Sequence, residues 1–277
     1  MNNHYYQNKR VLVTGGSSGI GLAVAGQLAA SGAHVWILAR RPELLSKAAQ
    51  EIEQRRVSPQ QVVGTISANV AHEAEIMAKL SEFCATEGVP DILVNSAGIA
   101  HPGRFEEMDA GIFRSMMATN YFGTVYPVKA VVPGMIQRKS GHIVNFSSMA
   151  GLLGVYGYTA YGASKAAIRG FSSALRDEMR LHGVHVSVVY PTDIQTPQLE
   201  YEKPLQPAIT RILTSSKPLT ADYAARVILS GVAHHRFAIT PGFDATLYFV
   251  ALSVAGWLEK PIMDFQVDQA RKKIKSA

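Results

Sequence analysis

Tyr161 and Lys165 stand four residues apart in GYTAYGASKAAIRG, residues 157–170, a run dominated by small side chains. On a helix that spacing puts a phenol and an ammonium on one face. A free tyrosine ionises near pH ~10, too high for efficient proton exchange around neutrality. A cation held beside it stabilises the phenolate and brings that value down. The same spacing also suits a helix face that carries an aromatic ring and a solvated lysine, and this stretch alone leaves both readings open. Tyr158 is off the register that pairs with Lys165 and reads as packing or pocket wall.

Such a pair needs a rigid frame. Short apolar runs at 10–14, 34–39, 61–67, 91–95, 142–147, 185–190 and 237–240 alternate with helical patterns near 19–31, 42–55, 71–87, 110–138, 158–181 and 221–233. Most of the runs are continuously apolar and rich in Val and Ile, as strands covered on both faces should be. Strand–helix alternation predicts right-handed crossovers and a doubly wound, Rossmann-like parallel α/β sheet. The chain has 277 residues with 47% hydrophobic content, enough for one elaborated domain. The longest irregular stretch is 191–219, with five prolines, and reads as a functional or mobile lid. We divide the chain into a catalytic domain, 1–243, and a C-terminal apolar helix with a basic tail, 244–277.

Composition excludes several classes. There is no apolar run long enough to span a bilayer, and the first ten residues lack a signal-peptide core. A single cysteine, Cys84, forbids an internal disulfide and suits a reducing, cytoplasmic compartment. No Cys/His spacing suggests a metal site. The net charge of +6 is concentrated toward Arg271, Lys272, Lys273 and Lys275, a charge run whose default reading is a solvated end. No nucleic-acid partner is expected.

The first strand runs into TGGSSGIG, where Gly15, Gly19 and Gly21 follow a G-x-x-x-G-x-G spacing. A glycine turn between strand and helix lets backbone N–H groups approach a pyrophosphate, and the helix dipole favours that anion. The second strand ends at Ala39, where an NAD site tends to place an acid; Arg40 and Arg41 follow. A guanidinium there suits a 2′-phosphate, so the cofactor expected is NADP, as NADPH.

With TGGSSGIG, NSAG at 95–98, and Tyr161 with Lys165, the sequence resembles the short-chain dehydrogenase/reductase family over about residues 9–240. The resemblance implies that Asn120, Ser148, Tyr161 and Lys165 are catalytic. Ser148 stands thirteen residues before Tyr161, the family's spacing; its neighbour Ser147 is off by one. In that frame hydride addition to a ketone makes an alkoxide, Tyr161 protonates it, and Ser148 hydrogen-bonds the developing oxyanion. Lys165 reaches the nicotinamide ribose, and Asn120 holds a water linking Lys165 to solvent. The cofactor contacts implied are Gly15, Ser17, Ser18, Gly19, Ile20, Gly21, Arg40, Asn69, Val70, Asn95, Ala97, Gly98, Pro191, Ile194 and Thr196, besides Tyr161 and Lys165. Two positions depart from the pattern. Asn69 replaces an acid that binds the adenine amino group, and Pro191-Thr192 replaces Pro-Gly.

Within the family the chain is most similar to the 3-ketodihydrosphingosine reductases, in GYTAYGASKAAIRG, VVYPTDIQTPQLEYE and SSKPLTADYAARVIL. That implies NADPH-dependent reduction of a long-chain ketone. The alternatives are a 3-oxoacyl thioester or a steroid- or retinoid-type carbonyl, and, outside enzymes, a non-catalytic dinucleotide sensor. ATLYFVALSVAGWL, residues 245–258, carries no charge over fourteen residues. As a helix it would be roughly 21 Å long, short of a ~30 Å hydrocarbon core. Two readings of it stand: an interfacial helix that seats the protein peripherally on a membrane's cytoplasmic face, or an oligomer contact or pocket flap. A homo-oligomer is expected.

Overall fold

Strands that carry valine and isoleucine without alternation need cover on both faces. In a computed structural model, which describes residues 3–214 and 217–275, they receive it. The chain runs β1 (Arg10–Thr14), α1 (Gly19–Ala30), β2 (His34–Ala39), α2 (Pro42–Glu53), β3 (Val63–Ser67), α3 (Glu73–Thr86) and β4 (Ile92–Asn95). It continues through α4 (Ala110–Met116), a π-helical turn (Met117–Phe122), α5 (Gly123–Arg138), β5 (Gly141–Phe146), α6 (Thr159–Arg180) and β6 (Val184–Val189). The order of the parallel sheet is β3-β2-β1-β4-β5-β6-β9, with β9 at Ala238–Ile239.

Side chains alternate across each strand, so one strand feeds two cores. Val11, Val13, Val35 and Ile37 pack with α1, α2 and α9 (Ala221–Ala233). Leu12, Trp36 and Leu38 face α3, α5 and α6 on the other side. The direction of winding reverses between β1 and β4, which are hydrogen-bonded neighbours. The crevice beyond the C-terminal ends of strands at such a reversal is where doubly wound sheets bind ligands.

The stretch 191–219 is more ordered than its prolines imply. It holds β7 (Ile194–Gln195), α7 (Pro197–Glu202) and α8 (Ala208–Leu213), and β7 pairs with β8 (Leu219–Thr220). Pro197 opens α7 at a position where a missing N–H costs nothing, and the Thr196 hydroxyl caps that helix by accepting the Leu199 N–H at 3.3 Å. Residues 215–216 of this stretch, and the chain ends 1–2 and 276–277, lie outside the described residues.

Two helices follow β9. α10 (Phe243–Ala255) covers most of the apolar run 245–258, and α11 (Glu259–Lys275) extends through what sequence presented as a basic tail. α11 is joined to the body through Glu259, whose Oε1 accepts the Gly154 N–H at 3.0 Å. Among the described residues no helix is long and apolar enough to cross a membrane.

At the opposite end of the sheet, Tyr6 lies just before β1 and is fully buried. Its hydroxyl donates to the carbonyl of Leu229 on α9. Beside it, His142 on β5 is 1% exposed and His185 on β6 stacks on His235 with ring centroids 3.8 Å apart. The Ser187 hydroxyl donates to the Arg236 carbonyl, so it must accept from His142 Nε2 at 2.8 Å. That fixes the neutral tautomer and leaves His142 Nδ1 without a partner.

Candidate active site

The cleft forms where β1, β2 and β4 end. β1 delivers the chain into the glycine turn, and α1 begins at Gly19. Its walls include Gly15, Ser17, Ser18, Gly19, Ile20 and Gly21 on one side, with Arg40 and Arg41 beyond β2. Two glycines there have no substitute. A Cβ on Gly21 would lie 2.4 Å from the Gly15 carbonyl oxygen, and one on Gly15, at φ +69°, would lie 2.7 Å from the Ala97 backbone. The turn is therefore pressed against the segment after β4, with main chain rather than side chain facing the cleft. This cradle fits a pyrophosphate, and the two arginines fit a further phosphate at the ribose end.

Ala97 and Gly98 also line the cleft, whereas Asn95 is buried behind it. Asn95 Nδ2 donates to Asn145 Oδ1 across β4 and β5 at 2.9 Å, and Asn145 passes the chain on to Ser172 of α6. Asn95 thus fastens the sheet. Val70 is a wall residue; Asn69 is not. The Asn69 side-chain carbonyl instead accepts the Ala71 N–H at 3.2 Å, and its amide meets His72. The local turn after β3 engages one lone pair of this oxygen, leaving the other to accept from an adenine amino group. Pro191 accepts the Met149 N–H through its carbonyl, Ile194 is buried in β7, and Thr196 touches the glycine turn.

Ser148, Tyr161 and Lys165 meet at the far end of the cleft. The strand β5 ends at Phe146 and two serines follow it. Ser147 turns inward, donating to the Lys165 carbonyl at 2.8 Å. Ser148 turns the other way, its Oγ accepting the Ala150 N–H at 3.1 Å, and lies beside the Tyr161 phenol. α6 presents Tyr161 and Lys165 one turn apart, with the ammonium 5.6 Å from the ring centroid. Lys165 Nζ donates to the Phe146 carbonyl at 2.8 Å, so its charge is not aimed at the phenol oxygen. Burial pushes the Lys165 ammonium down to about 8, and the carboxylate of Glu202 opposes that shift. Burial raises the Tyr161 phenol, the charges of Glu202 and Asp193 add to the rise, and the Ser148 hydrogen bond lowers it.

Asn120 sits in the π-helical turn, fully buried. Its side chain takes the Ile99 N–H at 2.8 Å and returns a bond to the Ile99 carbonyl at 2.9 Å. It also donates to Ser164 on α6 at 2.8 Å. The wider π turn swings this amide toward Gly98, where a Cβ would lie 3.2 Å from Asn120 Oδ1 and 3.4 Å from Lys165 Nζ. Sequence reading missed Glu202. It lies on α7, 7% exposed, with Oε2 accepting from the Tyr158 hydroxyl at 2.7 Å. Its one signal was position. It falls three residues after the buried Leu199, on the same face, whereas Glu200 faces out.

The family model for short chain dehydrogenases matches residues 9–205. A 3-dehydrosphinganine reductase of Danio rerio is 36% identical over 236 residues, spanning 84% of this chain and 71% of its own. A 3-ketodihydrosphingosine reductase of Mus musculus is 37% identical over the same shares. Among solved structures, a short-chain dehydrogenase from Streptomyces avermitilis superposes with a TM-score of 0.77 at 30% identity, covering 92% of this chain and 96% of that one. A short-chain dehydrogenase from Sphingobium yanoikuyae in complex with NADPH gives a TM-score of 0.76 at 25% identity, covering 92% and 94%.

Proposed function

The chain belongs to the short-chain dehydrogenase family, oxidoreductases acting on CH–OH groups, and from that premise we propose that it reduces 3-ketodihydrosphingosine to the secondary alcohol with NADPH. The observation that carries this reading is the gathering of Ser148 and Tyr161 beside Lys165, at one end of a glycine-walled cleft. The relatives named for that ketone supply the substrate.

In this reading the N–H groups of the glycine turn and the N-terminus of α1 hold the pyrophosphate, and Arg40 pairs with the 2′-phosphate. Val70 and Ala68 wall the adenine end, and Thr196 and Ile194 border the nicotinamide end. When bound, NADPH supplies the hydride that ends on the carbonyl carbon. The residues of this chain manage the proton. Ser148 donates a hydrogen bond to the carbonyl oxygen as negative charge gathers there. Tyr161 gives that oxygen its proton, breaking its O–H bond and leaving a phenolate. Lys165 supplies positive charge nearby. Asn120 holds the Ile99 segment against α6 and keeps the floor of the site in register.

The test is NADPH oxidation by the purified protein with 3-ketosphinganine, against an acetoacetyl thioester and a steroid ketone. We expect turnover with the first and preference for NADPH over NADH. Arg40→Ala should raise KM for NADPH by about 10–100-fold, the worth of a charge-assisted pair, and leave that for NADH nearly unchanged. Equal kcat/KM for the two cofactors in the wild type would remove Arg40 from this role.

We also read residues 1–243 as the catalytic unit and the C-terminal helices as a membrane-facing extension. Phe243, Leu247, Val250, Val254 and Trp257 recur every three or four residues and all are exposed, which makes an apolar stripe along α10. Glu259 ties α11 to the loop after Ser148, and this tie supports reading the helical extension as lying near the site. A barely soluble ketone would be met where it resides. Sedimentation with anionic vesicles, weakened by salt and lost on truncation after Phe243, is the expected result. A change of mass on truncation, with no vesicle binding, would assign the stripe to a second copy.

A further inference from the structure

Glu202 is a buried carboxylate in an awkward place. Its hydrogen-bond partners are neutral: Tyr158 on Oε2 at 2.7 Å and Gln198 on Oε1 at 2.9 Å. Gln206 completes the arrangement by donating to the Tyr158 hydroxyl at 3.0 Å. Among the described residues Glu202 forms no salt bridge, in contrast to the exposed Glu200, which pairs with Lys203 at 2.7 Å. Burial raises the Glu202 carboxyl, and the Lys165 ammonium lowers it without forming an ion pair with it, so its charge is only partly offset. A glutamine at this position could accept the Tyr158 bond equally well, so fixing the lid does not account for the charge.

Its location makes the charge harder to explain by structure alone. The Tyr158 ring lies 5.7 Å from the Tyr161 ring, centroid to centroid. Glu202 therefore stands one phenol away from the group that must lose a proton. An anion there works against that ionisation, and its field does reach Tyr161. Lys165 offsets part of that charge, and a cation arriving with the substrate would offset more of it.

The ketone assigned above carries an amino group on the carbon next to its carbonyl. Because the amine sits on the carbon next to the carbonyl, a ketone held at Ser148 and Tyr161 can turn it toward Tyr158, whose ring is 5.7 Å from that of Tyr161. We propose that Glu202, held by Tyr158 and Gln198, is the specificity-determining residue that receives the substrate's ammonium. The pairing does two things. It binds the amine by a charge-assisted hydrogen bond, and it neutralises the anion that opposes proton release from Tyr161. Ketones without the cation leave that opposition in place, so discrimination enters kcat as well as KM.

This rests on the proposed function, and the experiment separates the two. The kcat/KM ratio is measured for 3-ketosphinganine against the same long-chain 1-hydroxy-3-ketone lacking the amine, with NADPH affinity and unfolding temperature as checks on folding. The wild type should prefer the amino ketone. Glu202→Gln should lower that ratio at least tenfold, and Glu202→Asp, which keeps the charge, should restore part of it. If Glu202→Gln unfolds, Tyr158→Phe reads the same ratio and should lower it. Equal losses on both ketones, or no loss on either, would overturn the inference and leave the reductase reading intact. Failure of the wild type to reduce either long-chain ketone would overturn both.

Discussion

Tyr161→Phe is expected to lower kcat by about 10²–10⁴-fold, the usual worth of a positioned proton donor, while NADPH affinity stays within a few-fold. The ring is kept and only the hydroxyl is lost, so the packing of α6 is undisturbed. The nascent alkoxide must then draw its proton from water. The nearest other phenol is no substitute. The Tyr158 hydroxyl already donates to Glu202 and is pushed up by burial and by that carboxylate. Single-turnover kinetics separate the chemical step from product release. If Tyr161→Phe retained most of its kcat, the assignment of the proton would have to move.

The second large effect concerns pH and the far end of the sheet. Burial, with His185, His235 and Lys9 nearby, lowers His142 from an ordinary 6.5 to about 3. Below pH ~6.5 the unfolded chain takes up a proton at this residue and the folded chain does not. Stability carried by neutral His142 is thus full above that pH and falls by about 1.4 kcal/mol per unit beneath it. From pH 7 to pH 5 the loss is about 2 kcal/mol, roughly thirtyfold in the folding equilibrium. The folded site cannot adapt, because the proton would land on Nδ1, which has no acceptor. Urea unfolding at pH 5, 6 and 7 should show this slope in the wild type and a shallower one in His142→Leu. Equal slopes in the two proteins would locate the acid sensitivity elsewhere.

Much of this fold was legible because its sheet is buried on both faces. Runs such as RVLVT and HVWILA need no partner to be identified, and each matches its strand end for end. The lid was not legible. Prolines at 197 and 207 read as breaks, but Pro197 begins a helix and Pro207 immediately precedes one. Composition alone cannot distinguish a helix start from a loop. Spacing chose Ser148 over Ser147, and in the structure the Ser147 hydroxyl is engaged by the Lys165 carbonyl. The bond from the Ala71 N–H to the Asn69 side-chain carbonyl was not legible, because a local turn can engage a side chain that sequence offers to a ligand. Glu202 was missed for a related reason. In PQLEYEK the spacing of Glu202 from Leu199 places it on the apolar face, but a buried glutamate reads as a solvated one until Tyr158 and Gln198 are seen to bond it.

The latch from Tyr6 to Leu229 joins residues 223 positions apart. A ribosome releases the tyrosine long before the carbonyl that receives it. At ~5–20 residues per second, the N-terminal ring waits roughly 10–45 s for its partner to be synthesised, exposed all the while. β1 can pair with β2 and β4 during that interval, but the face completed by α9 stays open. Closure of the Tyr6 pocket is consequently among the last steps of folding on the ribosome, and the apolar face that α9 covers is the last part of this core to leave water.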